Sequence, residues 1–120
     1  MNPSIVVNCT HGREDTERAT LSFVVGNVSA TADQATAVLL TCDGVWLATQ
    51  GYAESVHHEG MPPLTEVRSS FLAAGGEIWA CGACTGPRGI TESDLVPGAR
   101  IVTAALVVEA MAGGARTLSF

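Results

Sequence analysis

The sequence is short of charge and has no lysine. Only 15% of its 120 residues are charged, and six arginines face twelve acidic side chains for a formal net charge of −6. Without a run of basic residues there is no electrostatic footprint for a phosphate backbone, which argues against nucleic acid as a partner. An anionic membrane surface is an equally poor match. Nothing approaches the ~18 apolar residues of a membrane span, and residues 1–15 lack a basic segment followed by a long apolar one. The expected location is the cytosol (cytoplasmic), where thiols stay reduced. Repeats, linkers and low-complexity tracts are missing too, so residues 1–120 read as one domain, long enough for a core without staples. Gly82, Gly86 and Gly89 lack the spacing of a phosphate-binding loop, and no Ser-His-Asp arrangement can be read.

Apolar residues, by contrast, make up 47% of the chain. Part of that excess suits strands buried on both faces of a parallel sheet; the rest suggests apolar surface covered by another subunit. The β-branched run 4–9 reads as a first strand, closed by the turn Thr10-His11-Gly12. Asp15 is placed to cap a helix beginning near Thr16. Leu21, Val24, Val25 and Val28 then recur at helical spacing as its apolar stripe, with Gly26 a mild penalty inside it. Residues 35–41 are a continuous apolar run of strand length, after which Cys42-Asp43-Gly44 turns the chain into a helical turn or two. Residues 51–63 read as a loop in which the adjacent His57 and His58 are solvated. Residues 64–74 form a helix with Val67, Phe71 and Leu72 inward, stopped by Gly75-Gly76.

A third strand covers 78–80. Thr91 with Asp94 three residues on signals a capped short helix that Pro97-Gly98 ends. Residues 100–111 read as a long buried helix and residues 117–119 as a last strand. Strands and helices alternate along the chain. The expectation is an α/β fold, a three-layer α/β/α domain with a mostly parallel sheet of four or five strands, among them 5–8 and 36–40.

One loop concentrates the chemistry. The third strand runs straight into Cys81-Gly82-Ala83-Cys84, then Thr85-Gly86-Pro87 and Arg88-Gly89-Ile90. In an open α/β sheet ligands collect at the carboxyl ends of strands, and Thr10-His11, Cys42-Asp43 and Cys81 all emerge there. Reduced cysteines in such a place are catalytic, metal-binding or simply buried. Structural zinc needs four ligands, generally as two close pairs, and only one close pair exists, so no metal and no cofactor is assigned. Loop amides, and Arg88 if it folds back, would favour a Cys81 thiolate. A second thiol at Cys84 is near enough in sequence to form a disulfide with Cys81. A thioredoxin-like redox pair stays open as a rival. Cys9 and Cys42 read as strand-end packing residues placed near the pocket. His11 reads as an exposed loop side chain or as a proton carrier beside the thiols, and Asp43 as a turn former at the same sheet edge.

The pattern of strand, cysteine, small residues and then basic-Gly-apolar in residues 77–90 resembles that of the DsrE/DsrF/TusD-like (YchN-like) family of sulfur-relay proteins. Asp43-Gly44-Val45 followed by Trp46-Leu47-Ala48 is similar to that family's segment after the second strand, and residues 98–120 to its last helix and terminal strand. The resemblance implies a DsrEFH-like domain that assembles as a homo-oligomer, a trimer or hexamer. It also implies a cysteine that carries sulfane sulfur as a persulfide between sulfur donor and acceptor proteins or small thiols. Cys81 matches the sulfur-carrying cysteine, and Arg88-Gly89-Ile90 matches the close of the loop. Cys84 stands where relay members have a small residue, which implies a partner or resolving thiol instead of a simple carrier.

The expected catalytic pair is thus Cys81 and Cys84, with His11, Asp43, Arg88 and Gly89 on the binding side. A non-catalytic oligomeric binding module with its pocket at the strand ends remains the alternative. The residues leave open whether the chain is an enzyme of sulfurtransferase type or only a carrier. Trp46 and residues 51–63 are the expected subunit contacts.

Overall fold

Five parallel strands carry the architecture. In the computed structural model, which describes residues 1–120, they are β1 (Ile5–Cys9), β2 (Thr36–Leu40), β3 (Glu77–Cys81), β4 (Ala99–Val102) and β5 (Arg116–Ser119), lying in the order β4-β3-β2-β1-β5. Every pairing is parallel. The helices are α1 (Thr16–Thr31), α2 (Leu64–Ala73), the four-residue α3 (Gly82–Thr85) and α4 (Ala104–Ala112). Side chains of α1 and α2 pack on one face of the sheet and those of α4 on the other, which is the three-layer arrangement the alternation predicts. No helix is long and apolar enough to cross a membrane.

Strand β2 sits at the centre with all five residues buried, as its unbroken apolar run demands. The register sets Cys9 opposite Leu40, Leu40 opposite Ala80 and Cys81 opposite Val102. The loops after β1, β2 and β3 therefore start level with one another along one edge.

Two expectations fail. The run 100–111 is not one buried helix, because residues 99–102 form edge strand β4 beside β3. Its end is marked by Thr103, whose hydroxyl accepts the Leu106 N–H at 3.3 Å and caps α4. The β-branched pair Ile101-Val102 and that cap divide a stretch that composition alone joins. Nor is α4 buried: none of its residues is fully enclosed, and Val108 and Met111 are exposed.

The second failure is the α1 stripe. The helix buries Ala19, Phe23, Gly26 and Ala30, while Val28 is 64% exposed. Gly26 explains the choice, since a Cβ there would stand 2.8 Å from Val38 Cγ2 and press on Phe71. The helix lies close to the sheet on its small residues, and tight packing outweighs the larger side chains of the other stripe. Phe23 and Phe71 then meet edge to face with centroids 6.0 Å apart, joining α1 to α2.

Helix α2 buries Leu64, Val67 and Phe71 and also Arg68. Its guanidinium donates to the Leu47 carbonyl at 2.8 Å, and burial lowers its pKa from the usual arginine value. That bond anchors the 3₁₀ segment Cys42–Ala48, which leads away from β2.

At the start of α1, Asp15 accepts the Arg18 N–H at 3.0 Å and pairs with the Arg18 guanidinium at 2.6 Å. The amide first and the guanidinium second hold the carboxyl below its ordinary range. Asp15→Ala is expected to cost about 1 kcal/mol, the usual value of an N-cap. A lowered folded-state pKa places that stabilisation above the unfolded value and removes it as pH falls through the folded one. The gap between parent and variant in urea melts should therefore shrink in acid.

Candidate functional site

Three loops meet at the carboxyl edge of the sheet. After β2 the chain turns at once, the Gly44 N–H donating to the Thr41 carbonyl at 2.9 Å. Cys42, the first central residue of this turn, has φ +52°, a left-handed value more usual for glycine or asparagine. A Cβ on Gly44 would overlap the Cys9 carbonyl oxygen, so turn and β1 touch backbone to backbone. The result is that Cys42 stands exposed and is not the packing residue the sequence suggests. Cys9 does pack. It is fully buried, its thiol donates to the His11 carbonyl at 3.3 Å, and burial pushes its pKa up.

After β3, Cys81 and Cys84 are both half-buried. The Cys42 N–H donates to the Cys84 sulfur at 3.1 Å. Arg88 does not fold back onto a thiol. Its Nη1 donates to the Cys84 carbonyl at 3.0 Å, while Nε and Nη2 both donate to Asp43 Oδ1 at 3.1 and 2.9 Å. With side chains 28% and 56% exposed, this ion pair stabilises the fold by only about 0–1 kcal/mol. Its work is positional, tying the Asp43 turn to the cysteine loop. Gly89, at φ +69°, lets the chain leave the turn Gly86–Arg88, and Arg88 and Gly89 line a polar cavity of about 340 Å³ with Trp46 and Asp94.

Cys81 looks elsewhere. Along β3, Ile78 and Ala80 belong to the core under α1 and α2, and Trp79 to the one under α4. Strand alternation sends Cys81 after Trp79. There it lines a cavity of about 210 Å³ with Leu39, Val102 and, from α4, Val107 and Val108. Both thiols of the close pair pack against the core under α1 and α2, but only Cys81 reaches this cavity.

His11 stands apart from both. Its Nδ1 lies 3.8 Å from Glu14 Oε1, and it makes no hydrogen bond to either cysteine. In the 51–63 loop, His57 meets the Met61 carbonyl at 2.8 Å and His58 the Thr16 hydroxyl at 3.0 Å. No three His, Cys, Asp or Glu side chains converge at metal-binding spacing. The edge therefore brings together Cys84, Asp43, Arg88 and Cys42, the last as an exposed side chain. The signal for Cys42 was Asp43-Gly44, because a turn directly after a fully buried strand must push its first residue outward.

Comparison with known proteins adds the lineage. The DsrE/DsrF-like family profile matches residues 4–120. The uncharacterised protein MJ0760 of Methanocaldococcus jannaschii is 29% identical over 99 residues, 82% of this chain and 36% of that one. The uncharacterised protein MK0008 of Methanopyrus kandleri is 30% identical over 66 residues, 55% of this chain and 51% of that one. The chain thus spans between a third and about half the length of these relatives. Among solved structures, the E. coli ychN protein superposes with a TM-score of 0.80 at 18% identity, covering 98% of this chain and 99% of its own. MTH1491 from Methanobacterium thermoautotrophicum gives 0.73 at 18% identity, with 97% of each chain covered. These two share the fold. A profile that matches the chain almost from end to end places it: this protein belongs to the DsrE/DsrF-like family.

Proposed function

We propose that the protein handles sulfane sulfur, carrying it as a persulfide on Cys81 with Cys84 as the neighbouring thiol. The observation that carries this reading is the position of Cys81, which ends β3 at the carboxyl edge and lines the small apolar cavity beneath α4. A persulfide is destroyed by any thiol that reaches it, so its carrier needs access for a donor and shelter from bulk thiols. A half-buried thiol at such a cavity offers both. Membership in a family related to sulfur relay points the same way.

Loading balances simply. The Cys81 thiolate attacks the terminal sulfur of a donor persulfide, the donor's S–S bond breaks, and the donor leaves as a thiolate. The donor is a protein or small-molecule persulfide, and the acceptor a protein or small-molecule thiol. Incubation of Cys84→Ser, which lacks the neighbouring thiol that could displace the sulfur, with a small-molecule persulfide, followed by cleavage at arginine, should yield peptide 69–88 carrying one added sulfur atom that a reductant removes. An unchanged peptide would refute the reading.

Assembly belongs to the same proposal. Trp46, an expected subunit contact, stacks on Tyr52 of its own subunit with centroids 5.9 Å apart. One exposed apolar patch lies on α4, where Val108 is 65% exposed, Met111 also points out, and Glu109 is the lone charge. A second subunit seated there would roof the Cys81 cavity. The expected state is a trimer or hexamer, and Val108→Glu with Met111→Glu should reduce it to a 12.3 kDa monomer by light scattering. A parent already monomeric at micromolar concentration overturns the assembly.

A further inference from the structure

We propose that Cys42 is the thiol that closes on Cys84, leaving Cys81 free to hold sulfur. The Cys42 amide nitrogen lies 3.1 Å from the Cys84 sulfur, and the Cys42 Cα is one bond of about 1.5 Å beyond it. Two cysteines 42 residues apart in sequence are therefore neighbours in space. A disulfide sets its Cα atoms ~4.4–6.8 Å apart, and an amide of one cysteine on the sulfur of the other is a contact on that scale. Cys81, three residues from Cys84 along the chain, packs against the same core as Cys84 and in addition lines the cavity under α4, where its sulfur is held apart from Cys42.

Two further observations support the pair. Arg88 ties the two sides of the contact together, through the Asp43 carboxylate on the turn and the Cys84 carbonyl on the loop. Cys42 also occupies a left-handed position, at φ +52°, that glycine fills without penalty, and its side chain is exposed. The fold itself does not ask for a cysteine there.

The chemistry rests on the persulfide reading. The Cys84 thiolate takes the terminal sulfur from the Cys81 persulfide, whose S–S bond breaks and returns Cys81 as thiolate. The Cys42 thiolate then attacks the Cys84 sulfur, the bond to the terminal sulfur breaks, and hydrosulfide leaves. The sulfane sulfur is reduced by two electrons, and the Cys42/Cys84 pair is oxidised by two, to a disulfide. An external dithiol reductant restores the pair. The protein would then end a relay by releasing sulfide, in addition to passing sulfur on.

Cleavage at arginine separates the outcomes, because Cys42 falls on peptide 19–68 and both Cys81 and Cys84 on 69–88. The reduced full chain treated with oxidised glutathione should give 19–68 joined to 69–88, within one chain on a non-reducing gel. Cys81→Ser should keep that link. Cys84→Ser should lose it, and so should Cys42→Gly, which retains the amide facing Cys84 and suits the backbone. A disulfide confined to 69–88, a link that survives Cys84→Ser, a link only between chains, or no disulfide at all overturns the pairing.

With a small-molecule persulfide in place of the oxidant, the parent should release stoichiometric sulfide and form the same link. Cys42→Gly should still load sulfur but release at least about tenfold less sulfide. Undiminished release would overturn the role of Cys42. Absence of loading in parent and variants alike would defeat the persulfide reading, while the glutathione experiment decides the pairing by itself.

Discussion

Gly44→Ala should cost roughly 3 kcal/mol or more in a urea melt and dismantle the thiol site with it. The added Cβ would overlap the Cys9 carbonyl oxygen, a backbone atom that has nowhere to go. That carbonyl accepts the Thr41 N–H at 3.0 Å, and β1 is held on both sides, by β2 and β5. Rotating it away would leave a buried acceptor unpaired, at about 1–3 kcal/mol. The alternative is for the turn to lift off β1. It would carry Cys42 and Asp43 along and break the amide contact to Cys84 and the bonds from Arg88. Gly51→Ala is the control: its φ is +89° but nothing lies within 4 Å, so the cost should stay near 1 kcal/mol, the backbone penalty alone. If Gly44→Ala melts within 1 kcal/mol of Gly51→Ala, close backbone approach does not organise this edge.

That prediction also shows what a one-dimensional reading reaches. The central strands were legible because 36–40 is apolar without interruption, and only burial on both faces makes such a run advantageous. The cysteine loop was legible because a strand running into Cys81 leaves it at the carboxyl edge whatever the details. The capping box at Thr91 and Asp94 forms as its spacing predicts. Strand β4 was not legible, since its four residues merge in composition with α4 and only the Thr103 cap parts them. The buried face of α1 was hidden for a different reason. Hydrophobicity favours the valines, whereas the sheet accepts the face where Gly26 permits contact with Val38.

The partner of Arg88 lay further out of reach. Asp43 is 45 residues away, and the two meet only because the register aligns the ends of β2 and β3. The exposure and the partner of Cys42 were missed for the same reason. Cys84 belongs to another loop, and the exposure follows from a turn whose tightness depends on Gly44 touching β1.

Cys81→Ser should abolish persulfide loading of peptide 69–88, while Cys84→Ser should load and alter how the sulfur leaves. Serine keeps nearly the volume of cysteine but offers an oxygen that does not take up sulfane sulfur. At a half-buried position the exchange should move stability by no more than about 1 kcal/mol, so lost loading would report chemistry and not unfolding. Cys84→Ser leaves the Cys81 cavity untouched, because Cys84 is not among its lining residues. What it removes is the thiol that faces the Cys42 amide, and with it the internal route by which sulfur is displaced. The loaded state of Cys84→Ser should therefore outlast that of the parent. The exposed Cys42 lies on a different peptide, 19–68, so indiscriminate labelling by the donor would be seen separately. Undiminished loading of Cys81→Ser would remove Cys81 from the mechanism. Loss of loading in Cys84→Ser alone would exchange the two roles, making Cys84 the carrier and leaving the cavity under α4 without a part in sulfur transfer.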